Sequence, residues 1–188
     1  SPFFVPSMMA NAIAGHASIM CGFAGVNFNV TTACAAGSHA IGEAARLIWD
    51  GTSDVVLSGG AEAGVTPLVM SAFARMGALS TRNDDPTHAS RPFDADRDGF
   101  VLGEGAGFVI MESLAHAKKR GANILAEVVG YGRSGDAHHI TAPLPDGSGA
   151  ARSMQMALST AGLEPSDVKH INAHATSTPL NDSGETKA

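Results

Sequence analysis

The chain has 188 residues, of which 44% are hydrophobic and 16% are charged, and its formal net charge is −6. This composition is typical of a compact α/β protein and excludes a disordered or fibrous chain. The acidic balance excludes a general nucleic-acid binder or a protein of anionic membrane surfaces. No apolar run reaches the ~20 residues of a membrane helix. Two cysteines without a CxxC pair predict neither a disulfide framework nor structural zinc, so a reducing, cytoplasmic setting is expected.

The first third of the chain predicts two helices and two strands. Residues 6–20 carry Met, Ala and Ile at helical spacing. Residues 26–30 alternate apolar with polar side chains, which indicates a half-buried strand. A second helix is expected over 38–50, with Gly51 placed to end it in a left-handed conformation. The Val/Leu run at 54–58 predicts a buried strand.

The middle of the chain continues this alternation. A helix is predicted over 66–77, and the polar stretch 80–99 follows as a long loop of the kind that carries a functional or interface role. Then come a strand at 105–111, a helix at 113–120 and a strand at 124–131. The glycines of 103–107 precede a strand instead of joining a strand to a helix, which argues against a phosphate loop and for close backbone approach at a buried sheet.

The last third is a loop over 134–148, a helix over 149–161 that ends at Gly162, and a strand over 169–172 that leads into His174. Strands that alternate with helices in this way predict a layered α/β fold.

Cys34 lies between small residues where a strand pattern gives way to a helix pattern. The unpaired N–H groups and the dipole at a helix start favour an anion there, and the same groups can hold an oxyanion when a thiol attacks a carbonyl. This location predicts a nucleophile. A small buried hydrophobe is the alternative, and it is the interpretation we favour for Cys21.

His174 ends a predicted strand and precedes three hydroxyl residues and a proline, which is typical of a loop that lines a site. With Cys34 it could form a Cys/His pair. Asp136, His138, His139 and His174 could instead be metal ligands, but adjacent histidines diverge, so we expect no metal site.

Several motifs resemble those of the β-ketoacyl-acyl-carrier-protein synthases, closest to the type II enzymes of dissociated fatty-acid synthesis. The similarity extends in order over the whole chain. The matching segments are the nucleophile turn 32–38, the first catalytic-histidine motif 172–179, and the intervening 80–83, 91–94 and 97–107.

The resemblance implies a thiolase-like fold, an αβαβα layered sandwich of two similar halves, of which this chain covers only part. Residues 1–133 would be the later part of the N-terminal half, and residues 134–188 the beginning of the C-terminal half. It also implies a homodimer, with the strand before Cys34 and the helix 6–20 near the partner, and acyl carrier protein as the other partner.

The implied reaction is a decarboxylative Claisen condensation that elongates an acyl chain by two carbons. Cys34 would carry the acyl group and His174 would stabilise the enolate from malonyl-carrier protein. The remaining assignments follow the family motifs: Thr176, Thr178 and Thr141 for the phosphopantetheine arm, Phe73 for the acyl pocket, and Glu185 as a supporting acidic residue. No metal and no free cofactor is implied, since the substrates are carried on phosphopantetheine.

Three departures from the family pattern qualify this expectation. The family's Lys-Ser-x-x-Gly-His motif and its late glycine-rich gating loop do not occur in these residues, and Ala175 replaces a glycine. We therefore expect the 188 residues alone not to catalyse condensation. The alternatives are a polyketide ketosynthase, a chain-length-determining partner subunit, a catalytically incomplete acyl-binding fragment, and a cysteine hydrolase that uses Cys34 and His174.

Overall fold

The computed structural model describes residues 1–188 and contains seven α-helices and two strands. The elements are α1 (Phe4–Met8), α2 (Ala12–Cys21), α3 (Ala36–Trp49), β1 (Val55–Glu62), α4 (Pro67–Arg75), β2 (Gly105–Glu112), α5 (Leu114–Lys119), α6 (Ser148–Ala161) and α7 (Pro179–Lys187). The chain divides into two compact units. The first comprises Ser1–Glu62 with Gly105–Val128, and the second comprises Ala63–Glu104 with Val129–Ala188.

The first unit is built on one antiparallel strand pair. β1 and β2 run from Val55 opposite Glu112 to Glu62 opposite Gly105. Helix α3 packs on β1 and buries Ala44 and Ala45, which are 3% and 2% exposed. Small side chains at this contact let the helix approach the strand closely, and this contact sets the position of the helix start.

The second unit consists of helices and long loops. Helices α4 and α7 begin in the same way, with a threonine followed by a proline. Thr66 and Thr178 accept hydrogen bonds from the backbone N–H groups of Val69 and Asn181, and the proline removes an N–H that would have no partner in the first turn. The prolines therefore help to set where these helices begin.

Helix α6 packs directly against the backbone of residues 129–133. A Cβ atom on Gly132 would lie 1.9 Å from the carbonyl oxygen of Ser153, so only glycine fits there. The helix ends as the sequence predicts, because Gly162 takes a left-handed φ of +67°. The helices predicted over 38–50, 66–77, 113–120 and 149–161 are confirmed as α3, α4, α5 and α6.

The single helix predicted over 6–20 is wrong, because the structure has two helices there. Met9 follows α1 with an extended backbone (ψ 125°), and α2 begins only at Ala12. Apolar spacing continues through the break, so the periodicity alone does not reveal it.

The strands predicted over 26–30, 124–131 and 169–172 are not formed. A strand requires hydrogen bonds to a neighbouring strand, and the only ladder in the structure joins β1 to β2. Their apolar side chains are exposed, with Phe28 at 49%, Leu125 at 90% and Ile171 at 65%. The predicted strands at 54–58 and 105–111 do form, but the expectation that they are buried is wrong, since Ser58 is their one buried residue. A Cβ atom on Gly103, Gly105 or Gly107 would meet open space, which also corrects the close approach predicted there.

The last residue of β2, Glu112, joins that strand to α5. Its carboxylate accepts hydrogen bonds from Nε and Nη2 of Arg120 and lies 2.7 Å from Nδ1 of His116, while its side chain is only 8% exposed. The bonds from Arg120 and then from His116 lower the pKa of Glu112 from 4.5 to about 2. The ionised carboxylate therefore stabilises the folded state.

We expect Glu112→Gln to lower the free energy of unfolding at neutral pH, because an amide cannot accept both guanidinium bonds as a carboxylate does. A depressed folded-state pKa gives stability that is complete above pH 4.5 and disappears as the pH falls towards about 2. The difference in the free energy of unfolding between wild type and variant, measured by urea unfolding, should therefore disappear as the pH falls through that interval. Glu127→Gln, at an exposed position, is the control. A gap that stays constant down to pH 2 would contradict the assignment.

Candidate functional site

Cys34 lies in the first unit, in a 3-10 turn formed by Ala33–Ala35 immediately before α3. Cys34 is exposed to solvent. The structure therefore places the predicted nucleophile at a helix start and accessible to a substrate. The strand predicted before it is not formed, so the turn is held by α3 itself.

The backbone at this turn has two features that suit acyl chemistry. The N–H of Cys34 donates to no backbone or side-chain acceptor, so it is available for an oxyanion. Ala33 has a φ of +50°, which is uncommon for a residue with a side chain and costs of order 1–3 kcal/mol. Thr32 Oγ1 lies 2.7 Å from Nδ1 of His39, which ties the turn to α3. The strained turn presents both the thiol and the free N–H.

His174 lies in the second unit, and its backbone is held by Glu185 from helix α7. The N–H groups of His174 and Ala175 donate to the two oxygens of the Glu185 carboxylate at 2.6 and 2.8 Å. Asn181 Nδ2 donates to the same carboxylate at 3.0 Å. This clamp leaves the imidazole itself exposed. The sequence predicts Glu185 as a supporting residue, and this contact is the local basis for such a role.

The loop after His174 brings two threonine hydroxyls together. Thr176 Oγ1 and Thr178 Oγ1 lie 2.9 Å apart, and Thr178 also caps α7. Ala175 and Ser177 have φ values of +50° and +66°. These positive φ values change the direction of the backbone on either side of Thr176. Ser177 is fully buried, whereas the threonines before and after it are partly buried. The glycine that Ala175 replaces in the family pattern would adopt a positive φ without strain.

The polar stretch 80–99 forms hydrogen bonds to Ser177 in this loop and to Asp182 in the helix that follows it. Ser177 accepts a hydrogen bond on Oγ from the N–H of Arg91 and another on its carbonyl from the N–H of Gly99, both at 3.0 Å. Asp182 accepts from the N–H of Phe93 at 2.8 Å and lies 3.2 Å from Nε of Arg97. Sequence reasoning did not single out Arg91, Arg97 or Asp182. The Arg-Pro-Phe-Asp and Arg-Asp-Gly-Phe motifs contain the two arginines, but neither motif indicates which distant residue the arginine contacts.

The other two predicted binding residues also lie in the second unit. Phe73 packs edge-to-face on Phe100, with ring centroids 5.2 Å apart and an interplanar angle of 83°. Thr141 is exposed, and its N–H donates to Nδ1 of His139 at 3.2 Å. His138, His139 and Asp136 belong to no group of three or more His, Cys, Asp or Glu residues that could hold a metal ion. None of the α-helices combines the length and the hydropathy that a membrane span requires.

Two family models match the chain. Residues 1–117 match the β-ketoacyl synthase N-terminal domain, and residues 125–188 match the β-ketoacyl synthase C-terminal domain. Together they cover the segment of Cys34 and the segment of His174.

Curated relatives match along the entire chain. It is 55% identical over 187 residues to 3-oxoacyl-[acyl-carrier-protein] synthase 2 of Vibrio cholerae, covering 100% of this chain and 45% of that protein. It is 52% identical to the mitochondrial 3-oxoacyl-[acyl-carrier-protein] synthase of Arabidopsis thaliana, covering 41% of that protein. The chain thus spans less than half the length of these relatives.

Solved ketosynthase structures share the fold. A type II polyketide ketosynthase in complex with its acyl-carrier protein, AntDE:AntF, superposes with a TM-score of 0.95 at 40% identity, over 97% of this chain and 45% of that one. A β-ketoacyl synthase from Burkholderia phymatum gives 0.90 at 42% identity, over 94% and 43%. These matches confirm the predicted thiolase-like α/β fold class, of which the chain covers part.

We expect Glu185→Gln to loosen the His174 loop, because one amide oxygen cannot accept from both backbone N–H groups and the amide NH₂ would face one of them. Hydrogen bonds to a charged acceptor are worth about 1.5–3 kcal/mol each, so the free energy of unfolding should fall by about that amount. Equilibrium urea unfolding measures it, and amide hydrogen exchange at residues 174 and 175 locates it. Unchanged protection at both amides would show that the clamp is unimportant. Asp84→Asn, at an exposed carboxylate on the same unit, is the control.

Proposed function

The chain belongs to the β-ketoacyl synthase family, and from that premise we propose that the protein containing it is a 3-oxoacyl-[acyl-carrier-protein] synthase, an acyltransferase of fatty-acid elongation. The single observation that carries this proposal is 55% identity to such an enzyme over the whole chain. The exposed Cys34 in a helix-start turn is consistent with it. The activity is that of the complete protein.

In the first half-reaction, Cys34 takes the acyl group. Its Sγ attacks the thioester carbonyl of an acyl-carrier protein, the new S–C bond forms, and the phosphopantetheine thiol leaves with a proton. The tetrahedral intermediate carries a negative charge on oxygen, and the free N–H of Cys34 is one donor for it. The helix start of α3 adds a favourable dipole for that anion.

In the second half-reaction, malonyl-carrier protein loses carbon dioxide and its enolate carbon attacks the acyl-Cys34 carbonyl, which releases the thiolate. His174 would donate a hydrogen bond to the malonyl thioester oxygen and so stabilise the enolate. Thr176, Thr178 and Thr141 would bind the amides of the phosphopantetheine arm, since hydroxyls can both donate and accept. Phe73 would line the acyl pocket, and Glu185 would hold the His174 backbone as it does in the structure.

Acyl carrier protein is the proposed partner, because it carries both substrates and because a solved ketosynthase with this fold is in complex with its own carrier protein. No free cofactor enters this reaction. We also propose a homodimer, with the helices near residues 6–20 close to the partner, and a cytoplasmic location. The division into an N-terminal half (1–133) and a C-terminal half (134–188) is part of the same proposal.

A polyketide ketosynthase is the second candidate function, since AntDE, a polyketide enzyme, matches with a TM-score of 0.95. Sequence identity favours fatty-acid synthesis, at 55% against 40%. The two functions are discriminated by the rates at which the complete protein uses two kinds of substrate: saturated acyl groups on a carrier protein, and polyketide starter units.

We expect intact mass spectrometry after incubation with an acyl-carrier protein to show one acyl increment on the complete protein, because the exposed thiol can attack the thioester. Cys34→Ala should abolish the increment. Cys21 is also exposed, so the expectation that it is a small buried hydrophobe is wrong. Cys21→Ala, which removes this second thiol, is the matched control and should retain the increment. An increment that persists in Cys34→Ala would remove Cys34 from the proposed role.

The malonyl-dependent step separates this function from hydrolysis. With malonyl-carrier protein the complete protein should form a 3-oxoacyl product two carbons longer, and His174→Ala should lower its rate by about 100-fold or more while acylation of Cys34 persists. Release of free acid without any malonyl requirement would instead establish a cysteine hydrolase.

A further inference from the structure

The second unit contains a carboxylate that is almost completely shielded from water. Asp182, in the first turn of α7, is 1% exposed. Its oxygens accept from the N–H of Phe93 and the side chain of Asn181, and Oδ2 lies 3.2 Å from Nε of Arg97. A buried charge is tolerated only when it is paired and hydrogen-bonded, so the guanidinium of Arg97 is what permits this carboxylate.

The same guanidinium binds the loop that carries the candidate functional side chains. Nε of Arg97 lies 3.2 Å from the carbonyl oxygen of Thr178, and Nη2 donates to the carbonyl of Pro179 at 3.0 Å. Nη1 donates to the carbonyl of Asp94 at 2.7 Å. One planar fork therefore bridges the polar stretch to the end of the His174 loop. Arg97 is 16% exposed in its side chain, so water competes weakly for these bonds.

The neighbouring contacts leave the loop little freedom. Ser177 is fully buried and is held by Arg91 and Gly99, as described above. A Cβ atom on Gly99 would lie 2.5 Å from the backbone of Leu79 and Ser80, so the segment that holds Ser177 is itself tightly placed. Arg97 and Asp182 supply the charged part of this support.

We propose that Arg97, through its ion pair with Asp182 and its bonds to the Thr178 and Pro179 carbonyls, is a positioning residue for the malonyl half-reaction. It contacts none of the reacting groups. It sets where the Thr176 and Thr178 hydroxyls stand relative to His174, while Glu185 sets the backbone of His174 itself. This inference rests on the proposed function and adds to it a residue that lies outside the predicted site.

The test is Arg97→Lys in the complete protein. Lysine keeps a positive charge opposite Asp182, but its ammonium cannot donate to Asp182 and to the carbonyls of Thr178 and Pro179 in the fixed planar geometry of a guanidinium. The matched control is Arg46→Lys, which alters an exposed ion pair with Glu43 at 3.9 Å. Three quantities are measured on each variant: acyl transfer to Cys34 by intact mass, malonyl-dependent condensation with its kcat and KM, and amide hydrogen exchange over residues 172–178.

We expect Arg97→Lys to leave acyl transfer within about twofold of wild type while condensation falls between about tenfold and about 100-fold, the range that a displacement of order 1 Å produces. The fall should include a raised KM for malonyl-carrier protein, and exchange over 172–178 should increase. Arg46→Lys should change none of the three.

Two outcomes would overturn the proposal: condensation unaffected by Arg97→Lys, or acyl transfer and condensation reduced in equal proportion, which indicates a general structural role. If Arg97→Lys does not fold, Asp182→Asn replaces it, since the amide keeps the shape and one acceptor, and the same selective loss is required. A wild-type protein that condenses nothing would refute the proposed function instead, and in that case unchanged exchange over 172–178 in Arg97→Lys would refute the positioning role independently.

Discussion

The arrangement of the second unit depends on a buried carboxylate and on the groups that compensate it. Asp182 is 1% exposed, and the groups that compensate it come from the polar stretch, chiefly Arg97 and the N–H of Phe93. Removing one partner of a buried pair leaves the other charge uncompensated, so these contacts depend on one another. The loop of Thr176 and Thr178 is attached to the same contacts, so its geometry is fixed as a consequence.

Backbone strain accompanies both candidate functional loops. Ala33 beside Cys34 and Ala175 beside His174 each have a φ of +50°, in a region that residues with side chains seldom occupy. Such conformations persist only where the surroundings impose them. At Ala175 the surroundings are the Glu185 clamp and the buried Ser177, whereas at Ala33 the start of α3 and the contact between Thr32 and His39 do so. The thiol and the histidine thus both stand beside strained alanines.

Membership of the β-ketoacyl synthase family explains why these features occur in one chain. The family models match both segments, and the ketosynthase structures superpose on nearly all of it. The relatives are more than twice as long, and three segments with strand-like sequences lack strand partners in this structure. Their apolar side chains, such as Leu125 and Ile171, are correspondingly exposed.

The sequence by itself determined the helices α3 to α6, with ends that agree to within two residues. Helical hydrogen bonds join residues four apart, and capping depends on one or two local residues such as Thr66 and Gly162. It also singled out Cys34 and His174, whose neighbours form recognisable motifs. Only the tertiary structure decided which strand-like segments pair and which side chains hold the His174 loop. Pairing and buried charge compensation join residues far apart in the chain, as with Phe93 and Asp182 at a separation of 89 positions. No local sequence pattern encodes such a partner, so the contact between Arg97 and Asp182 is seen only in the tertiary structure.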